Sequence, residues 1–300
     1  MDVLVQARSK ETAKTIEDTR RLWNEYAAKL SRPHPAHLAV EDIKVPASDR
    51  QIPVRVYRHK ARSGPQPCIV YLHGGGFIKG DLDSSDSVAW GFADGTGAMV
   101  VSVDYRLAPE HPWPAGFDDG YDTLTWVADH AAAFGVDKSR IIVAGDSAGG
   151  RYTACICLKA RDTNGPKVAA QVMLYTSAGP AERSRSREDF ASGYGLTAAD
   201  SVMFRKALFP TDKYDNDPVV WPLRAADVSN LPPALIHSAE IDPIRDDGRA
   251  YASKLILAGN RVTYREAKGM LHGFMRARFF GPDAKAEFDY ICEFMRAHLQ

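Results

Sequence analysis

Gly145-Asp146-Ser147-Ala148-Gly149 is the segment of this 300-residue chain whose residue types and spacing most directly permit covalent chemistry. An apolar run at residues 141–144 precedes it and a helical pattern follows it. Gly-x-Ser-x-Gly at a strand-to-helix junction is a nucleophile elbow. The turn strains the serine backbone, side chains at the glycine positions would collide, and the hydroxyl is left exposed at the carboxyl edge of a sheet. The helix N-terminus behind it favours developing negative charge. The bare pattern arises by chance in roughly one chain of this length in ten, so its flanking elements carry the argument.

A second segment, His73-Gly74-Gly75-Gly76-Phe77, directly follows the apolar run at residues 68–72. Successive glycines let backbone N–H groups approach a ligand closely, and such donors stabilise an oxyanion in acyl transfer. A phosphate-cradling loop needs Gly-x-Gly-x-x-Gly, and Gly74, Gly76 and Gly80 miss that spacing by one residue.

A serine hydroxyl needs a base within hydrogen-bond reach. Of nine histidines, six precede Ser147, against the order serine, acid, histidine that accompanies this elbow. His237 lies in a strand pattern, which suits a packed core residue, and His298 is two residues from the terminus. His272, in Gly269-Met270-Leu271-His272-Gly273-Phe274, falls in a loop after the final expected strand and is the selected base. The orienting acid should follow the strand ALIHS; Asp242 fits, with Glu240, Asp246 and Asp247 as lesser competitors. Asp246 and Asp247 suit the first turn of the next helix.

The elements that must position these groups are legible as periodicity. Largely continuous apolar runs at residues 68–72, 98–103, 141–144 and 168–174 suit strands buried on both faces; further strands are expected at 234–238 and 261–266. Helical patterns occupy 121–133, 148–161, 247–258 and 284–298, and this alternation marks a doubly wound α/β sheet. Residues 41–45 and 52–58 read as antiparallel edge strands. Ile16, Trp23, Tyr26 and Leu30 recur at helical spacing near the N-terminus. The polar, arginine-rich stretch 179–224 interrupts the rhythm and is expected, with residues 1–45, to cap the site; residues 46–300 then form the catalytic domain. Within the stretch, Arg183, Arg185 and Arg187, balanced by Glu182, Glu188 and Asp189, suit a solvated loop, and Trp90, Trp113 and Trp221 suit the core.

Composition narrows the function classes. Lys plus Arg equals Asp plus Glu, 38 against 38, and no basic stripe is present, which argues against nucleic-acid binding. No run approaches the roughly 18 apolar residues of a membrane span, and the N-terminus lacks the apolar core of a signal peptide. Cys68, Cys155, Cys157 and Cys292 have no Cys-x-x-Cys spacing and read as buried cytosolic thiols. His34 and His37 are three apart, but Pro33 and Pro35 argue against a helical metal site, so they read as linker residues. The expected location is the cytoplasm; a homodimer through an edge strand or terminal helix is consistent with these features.

HGGGF at 73–77, DYRLAPEHPWPA at 104–115, GDSAGG at 145–150, DPIRDDG at 242–248 and HGF at 272–274 together resemble the hormone-sensitive-lipase-like (family IV) carboxylesterases. That resemblance implies an α/β-hydrolase fold, with a mostly parallel sheet flanked by helices and a helical cap. It implies a cofactor-free, metal-free serine esterase acting on small esters of short to medium acyl chain. By similarity the oxyanion donors are the N–H groups of Gly75, Gly76 and Ala148, and His73 is structural. The chain departs from the usual pattern at Arg151, where asparagine is common, at Tyr175-Thr176-Ser177-Ala178, where Tyr-Pro is common, and in 83–94, which lacks a frequent histidine. These departures spare the triad and bear on the acyl and alcohol pockets.

Overall fold

The computed structural model describes residues 2–180, 183–214, 217 and 219–300. Glu182 and part of the 179–224 stretch lie outside the described residues. Among the described residues the strands β1 (Leu38–Pro46), β2 (Gln51–His59), β3 (Gln66–Leu72), β4 (Met99–Val103), β5 (Val136–Asp146), β6 (Ala170–Leu174), β7 (Ala234–Ile241) and β8 (Val262–Leu271) form one sheet. Its order is β1-β2-β4-β3-β5-β6-β7-β8. β1 and β2 pair antiparallel, β2 and β4 antiparallel, and every pairing from β4 to β8 is parallel. Parallel strands share one carboxyl edge, and ligands bind in the crevice beyond it.

The helices are α1 (Asp2–Gln6), α2 (Ile16–Leu30), α3 (Leu82–Thr96), α4 (Ala115–Asp129), α5 (Ala131–Phe134), α6 (Ala148–Asp162), α7 (Arg185–Asp189), α8 (Ala198–Leu208), α9 (Arg245–Leu257) and α10 (Pro282–His298). α2 begins at a Thr15 cap whose side chain accepts from Asp18 N–H, and α8 at a Thr197–Asp200 capping box. Among the described residues no helix is long and apolar enough to cross a membrane.

Alternate residues of the central strands enter opposite faces. Cys68, Val70 and Leu72 of β3 join one apolar cluster, with Ile141, Val143 and Tyr152; Ile69 and Tyr71 join the other, with Ile142, Phe92 and Phe288. Burial on both faces is why these strands read as unbroken apolar runs.

Several elements depart from expectation. β2 is not an edge strand; it lies between β1 and β4. α3 carries three serines and two aspartates in its first half, which mask a helix whose later face buries Val88, Trp90 and Phe92. Its start is set by an Asp81–Ser84 capping box and its end by Gly97. α4 starts at Ala115, earlier than its apolar pattern. β8 runs to Leu271, so His272 immediately follows the strand.

Candidate active site

The elbow after β5 has the strain its glycines foretell. Ser147 sits at φ 53°, ψ −113°, a region in which a non-glycine residue stores about 1–3 kcal/mol. A Cβ on Gly145 would collide with the Gly149 backbone, and one on Gly149 with the Leu72 carbonyl of β3. The turn is therefore closed against its own helix and its neighbouring strand. α6 begins at Ala148, so Ser147 lies at a helix N-terminus.

Asp242 and His272 come from the carboxyl ends of adjacent strands, β7 and β8. Ser147 Oγ lies 2.8 Å from His272 Nε2, and His272 Nδ1 lies 2.7 Å from Asp242 Oδ2. Asp242 is 0 % exposed, and its Oδ1 accepts the Ile244 N–H at 3.0 Å. An acceptor-only carboxylate at Nδ1 holds the ring proton there and leaves Nε2 free to accept from the serine. The Tyr175 ring meets His272 edge-on at 4.9 Å and limits its rotation. The competing acids are engaged elsewhere. Glu240 accepts from Gly269 N–H and Lys268, Asp246 from Ser186 N–H, and Asp247 from Arg187.

The glycine loop after β3 closes the site's other side. Gly75 adopts φ 146°, and a Cβ there would strike the Lys79 carbonyl. Gly76 and Ala148 line one cavity with Ser147; Gly75 and Gly76 line an adjoining one with Ser147 and His272. His73 is buried, stacks on Tyr105 at 4.3 Å, and bonds the Gly74 carbonyl through Nδ1 at 2.9 Å. Burial lowers its pKa, so the ring is neutral and braces the loop.

Asp146, the variable residue of the elbow, is a positioning residue that the motif itself does not reveal. Its buried carboxylate accepts the Gly74 N–H at 2.7 Å and the Tyr71 hydroxyl at 2.6 Å on one oxygen, and the Tyr175 hydroxyl at 3.2 Å on the other. One side chain thus ties the elbow to the glycine loop and to the tyrosine beside His272. An acidic residue flanked by glycines, just after an apolar strand, was the available signal.

Residues of both outer segments line the cavity. Arg8, Trp23 and Tyr26 from the N-terminal segment, and Leu196, Asp200 and Phe204 from the 179–224 stretch, face the cavity that holds Ser147 and His272. Arg20 of α2 anchors its helix by donating to the Ile78 and Ala108 carbonyls and to Glu110. Arg187 corrects the solvated-loop expectation. Arg183 and Arg185 are 95 % and 77 % exposed, but Arg187 is 11 % exposed and paired with Asp247 at 3.0 Å. Two residues apart on α7, Arg185 and Arg187 take opposite faces, and α9 receives the inner one. Trp90, Trp113 and Trp221 are all buried, and Trp221 also faces the cavity beside Ser147. His237 is a core residue, its Nε2 2.9 Å from Glu287.

Residues 69–276 match the model of the alpha/beta hydrolase fold family. The chain is 38% identical over 269 residues to the carboxylic ester hydrolase LipN of Mycobacterium tuberculosis, spanning 88% of this chain and 71% of that one. It is 33% identical over 293 residues to an ethyl acetate hydrolase of Pseudomonas putida, spanning 94% and 90%. The esterase of Pyrobaculum calidifontis superposes with a TM-score of 0.92 at 35% identity, covering 99% of this chain and 97% of that one. With its fold, its parallel sheet and its motifs in order, the chain belongs to the α/β-hydrolase fold family, within the hormone-sensitive-lipase-like carboxylesterases.

Proposed function

We propose that Ser147, His272 and Asp242 form the catalytic triad of this carboxylesterase, with Gly75, Gly76 and Ala148 as oxyanion donors. The observation that carries the assignment is the unbroken relay from Ser147 Oγ through His272 to buried Asp242, at 2.8 and 2.7 Å. His272 Nε2 takes the serine proton as Oγ attacks the ester carbonyl, and Asp242 stabilises the imidazolium that forms. Backbone N–H groups of the glycine loop and of Ala148, at the start of α6, hold the oxyanion. His272 returns the proton to the leaving alcohol. Water then attacks the acyl-enzyme by the same route and releases the acid.

The preferred acyl chain in this reading is short to medium, because bulky Trp221, Phe204 and Leu196 line the cavity beside Ser147. Residues 1–45 and 179–224 act as a cap that excludes water from the reacting bond. The proposed setting is the cytoplasm, where the four buried, unpaired thiols stay reduced. The proposed assembly is a homodimer, for which β8, at the end of the strand order, offers an edge; light scattering in solution reads its mass. The test of the activity is hydrolysis of p-nitrophenyl esters from acetate to laurate, with wild type beside Ser147→Ala. Turnover that is fastest on short chains and lost in the variant supports the reading. Turnover retained by Ser147→Ala refutes it.

A further inference from the structure

Arg151 takes no part in the relay, yet it lies one helical turn beyond Ser147 and is 7 % exposed. Its guanidinium is held between two rings, 4.8 Å from the Phe77 centroid and 4.4 Å from that of Trp221. Nε and Nη2 donate to the Ser177 hydroxyl, a neutral acceptor, at 3.2 and 2.5 Å. Nη1 is buried with no hydrogen-bond acceptor among the described residues. Burial lowers the Arg151 pKa to about 10, which still leaves a cation at neutral pH. A desolvated cation with an unsatisfied N–H destabilises the fold unless a ligand completes it. Arginine is suited to do so for a planar carboxylate, which it can bind through two N–H groups.

The surroundings point the same way. The cavity that joins Arg151 to Ser147 is lined also by Arg187, and no carboxylate is among its described lining residues. Arg187 has Asp247 behind it, and its Nε is buried without an acceptor. Burial raises the Asp247 carboxyl to about 6 against the pull of Arg187 and Arg151. Among the described residues these two inner cations thus share one neighbouring carboxylate, Asp247, which leaves the described wall beside Ser147 positive. The cavity on the other side of Ser147 contains His272, and its cations are accompanied by Asp146 and Asp200. His272 protonates the leaving alcohol, so the alcohol occupies that side and the acyl group occupies the Arg151 side.

We infer that the preferred substrate is a monoester of a short dicarboxylic acid, whose free carboxylate is bound by Arg151 with Arg187 beside it. This rests on the triad proposed above. In the reaction the acyl carbon–oxygen bond to the alcohol breaks and the alcohol leaves with the proton from His272. Water supplies the hydroxyl that completes the second carboxyl group. At neutral pH the products are the alcohol, the dicarboxylate and one proton. Arg151 is therefore a specificity-determining residue.

Proton release at constant pH measures kcat/KM for monoethyl succinate and monoethyl glutarate against ethyl butyrate and ethyl valerate. Acetylglycolate against propyl acetate places the carboxylate on the alcohol side instead. The expected result is a preference of roughly 10- to 100-fold for the dicarboxylate monoesters, shrinking at high salt. In Arg151→Met that ratio falls at least about tenfold. Calorimetry with glutarate and the Ser147→Ala protein reads the same pocket without turnover, and adding Arg151→Met should weaken binding to a similar degree. If Arg151→Met does not fold, the wild-type ratio and Arg187→Gln decide. Equal or better turnover of the neutral esters, a preference confined to acetylglycolate, or a ratio unmoved in Arg151→Met overturns the inference. Inactivity of wild type on every ester, p-nitrophenyl acetate included, strikes the triad proposal instead, and glutarate binding then settles the anion pocket by itself.

Discussion

Removing the Asp146 carboxylate should separate the positioning of the glycine loop from the chemistry of the triad. Asp146 touches neither Ser147 Oγ nor His272 in the relay, yet it accepts from Gly74 N–H, Tyr71 and Tyr175. In Asp146→Asn the amide oxygen can keep the Gly74 and Tyr71 bonds, while the charge assistance is lost. A charged acceptor adds about 1 kcal/mol per bond over a neutral one, partly offset because a neutral group is cheaper to bury; a net loss of about 1–2 kcal/mol follows. Asp146→Ala strands the Gly74 N–H and two tyrosine hydroxyls, at about 1–3 kcal/mol each, so about 3–9 kcal/mol is expected. A displaced oxyanion donor costs about 10²–10³ in kcat. The expected pattern on p-nitrophenyl acetate is a roughly tenfold fall in kcat for Asp146→Asn and roughly 100-fold or more for Asp146→Ala, with KM changed by less than about threefold. Urea unfolding supplies the stability half of the comparison. If Asp146→Ala loses stability but keeps kcat within about threefold, the loop does not need this anchor and the reasoning is wrong.

Three other outcomes follow from the same contacts. Asp242→Asn presents an amide N–H to His272 Nδ1, moves the ring proton to Nε2, and should lower kcat by about 10³–10⁴ with the fold intact by circular dichroism. Lys79, placed over Trp23 and Phe204, has its pKa lowered to about 8 by burial and by Arg8. Because the folded pKa lies below the unfolded one, wild-type stability rises with pH between about 8 and about 10.5. Lys79→Met should therefore be more stable than wild type by about 1–3 kcal/mol near pH 7, and the gap in urea midpoints should close towards pH 10. Asp119 is buried and accepts from Arg50 at 2.6 Å and from the Arg106 side chain at 2.9 Å; Asp119→Ala should cost about 2–4 kcal/mol, and an unchanged melting temperature would contradict it.

The site was more legible in the sequence than the chain around it, for a physical reason. Ser147 needs glycines at fixed positions because backbone approaches backbone there, and such constraints write themselves as short local motifs. His272 and Asp242 were legible as candidates because each follows an expected strand, and a parallel sheet gathers strand ends at one edge. Asp146 and Arg187 were harder, since their partners Gly74 and Asp247 are 72 and 60 residues away. α3 was obscured because its first turns are built from serine and aspartate, residues that in a linear reading signal loops; here Asp81 and Ser84 form the cap and Ser85 and Ser87 are buried. Arg151 stood out in the sequence as a departure, but only its burial between Phe77 and Trp221, beside a cavity with no carboxylate among its described lining residues, turns that departure into a statement about substrate.

The central claim is that Ser147 is the nucleophile, activated through His272. Its most direct test is to treat the protein with diethyl p-nitrophenyl phosphate, digest it, and locate the phosphorylated residue by mass spectrometry while following residual esterase activity. A single diethylphosphoryl group on Ser147 is expected, with one nitrophenolate released per protein, activity lost in step with labelling, and no labelling in Ser147→Ala. Stoichiometric labelling at another residue, or full inactivation with Ser147 unmodified, would contradict it.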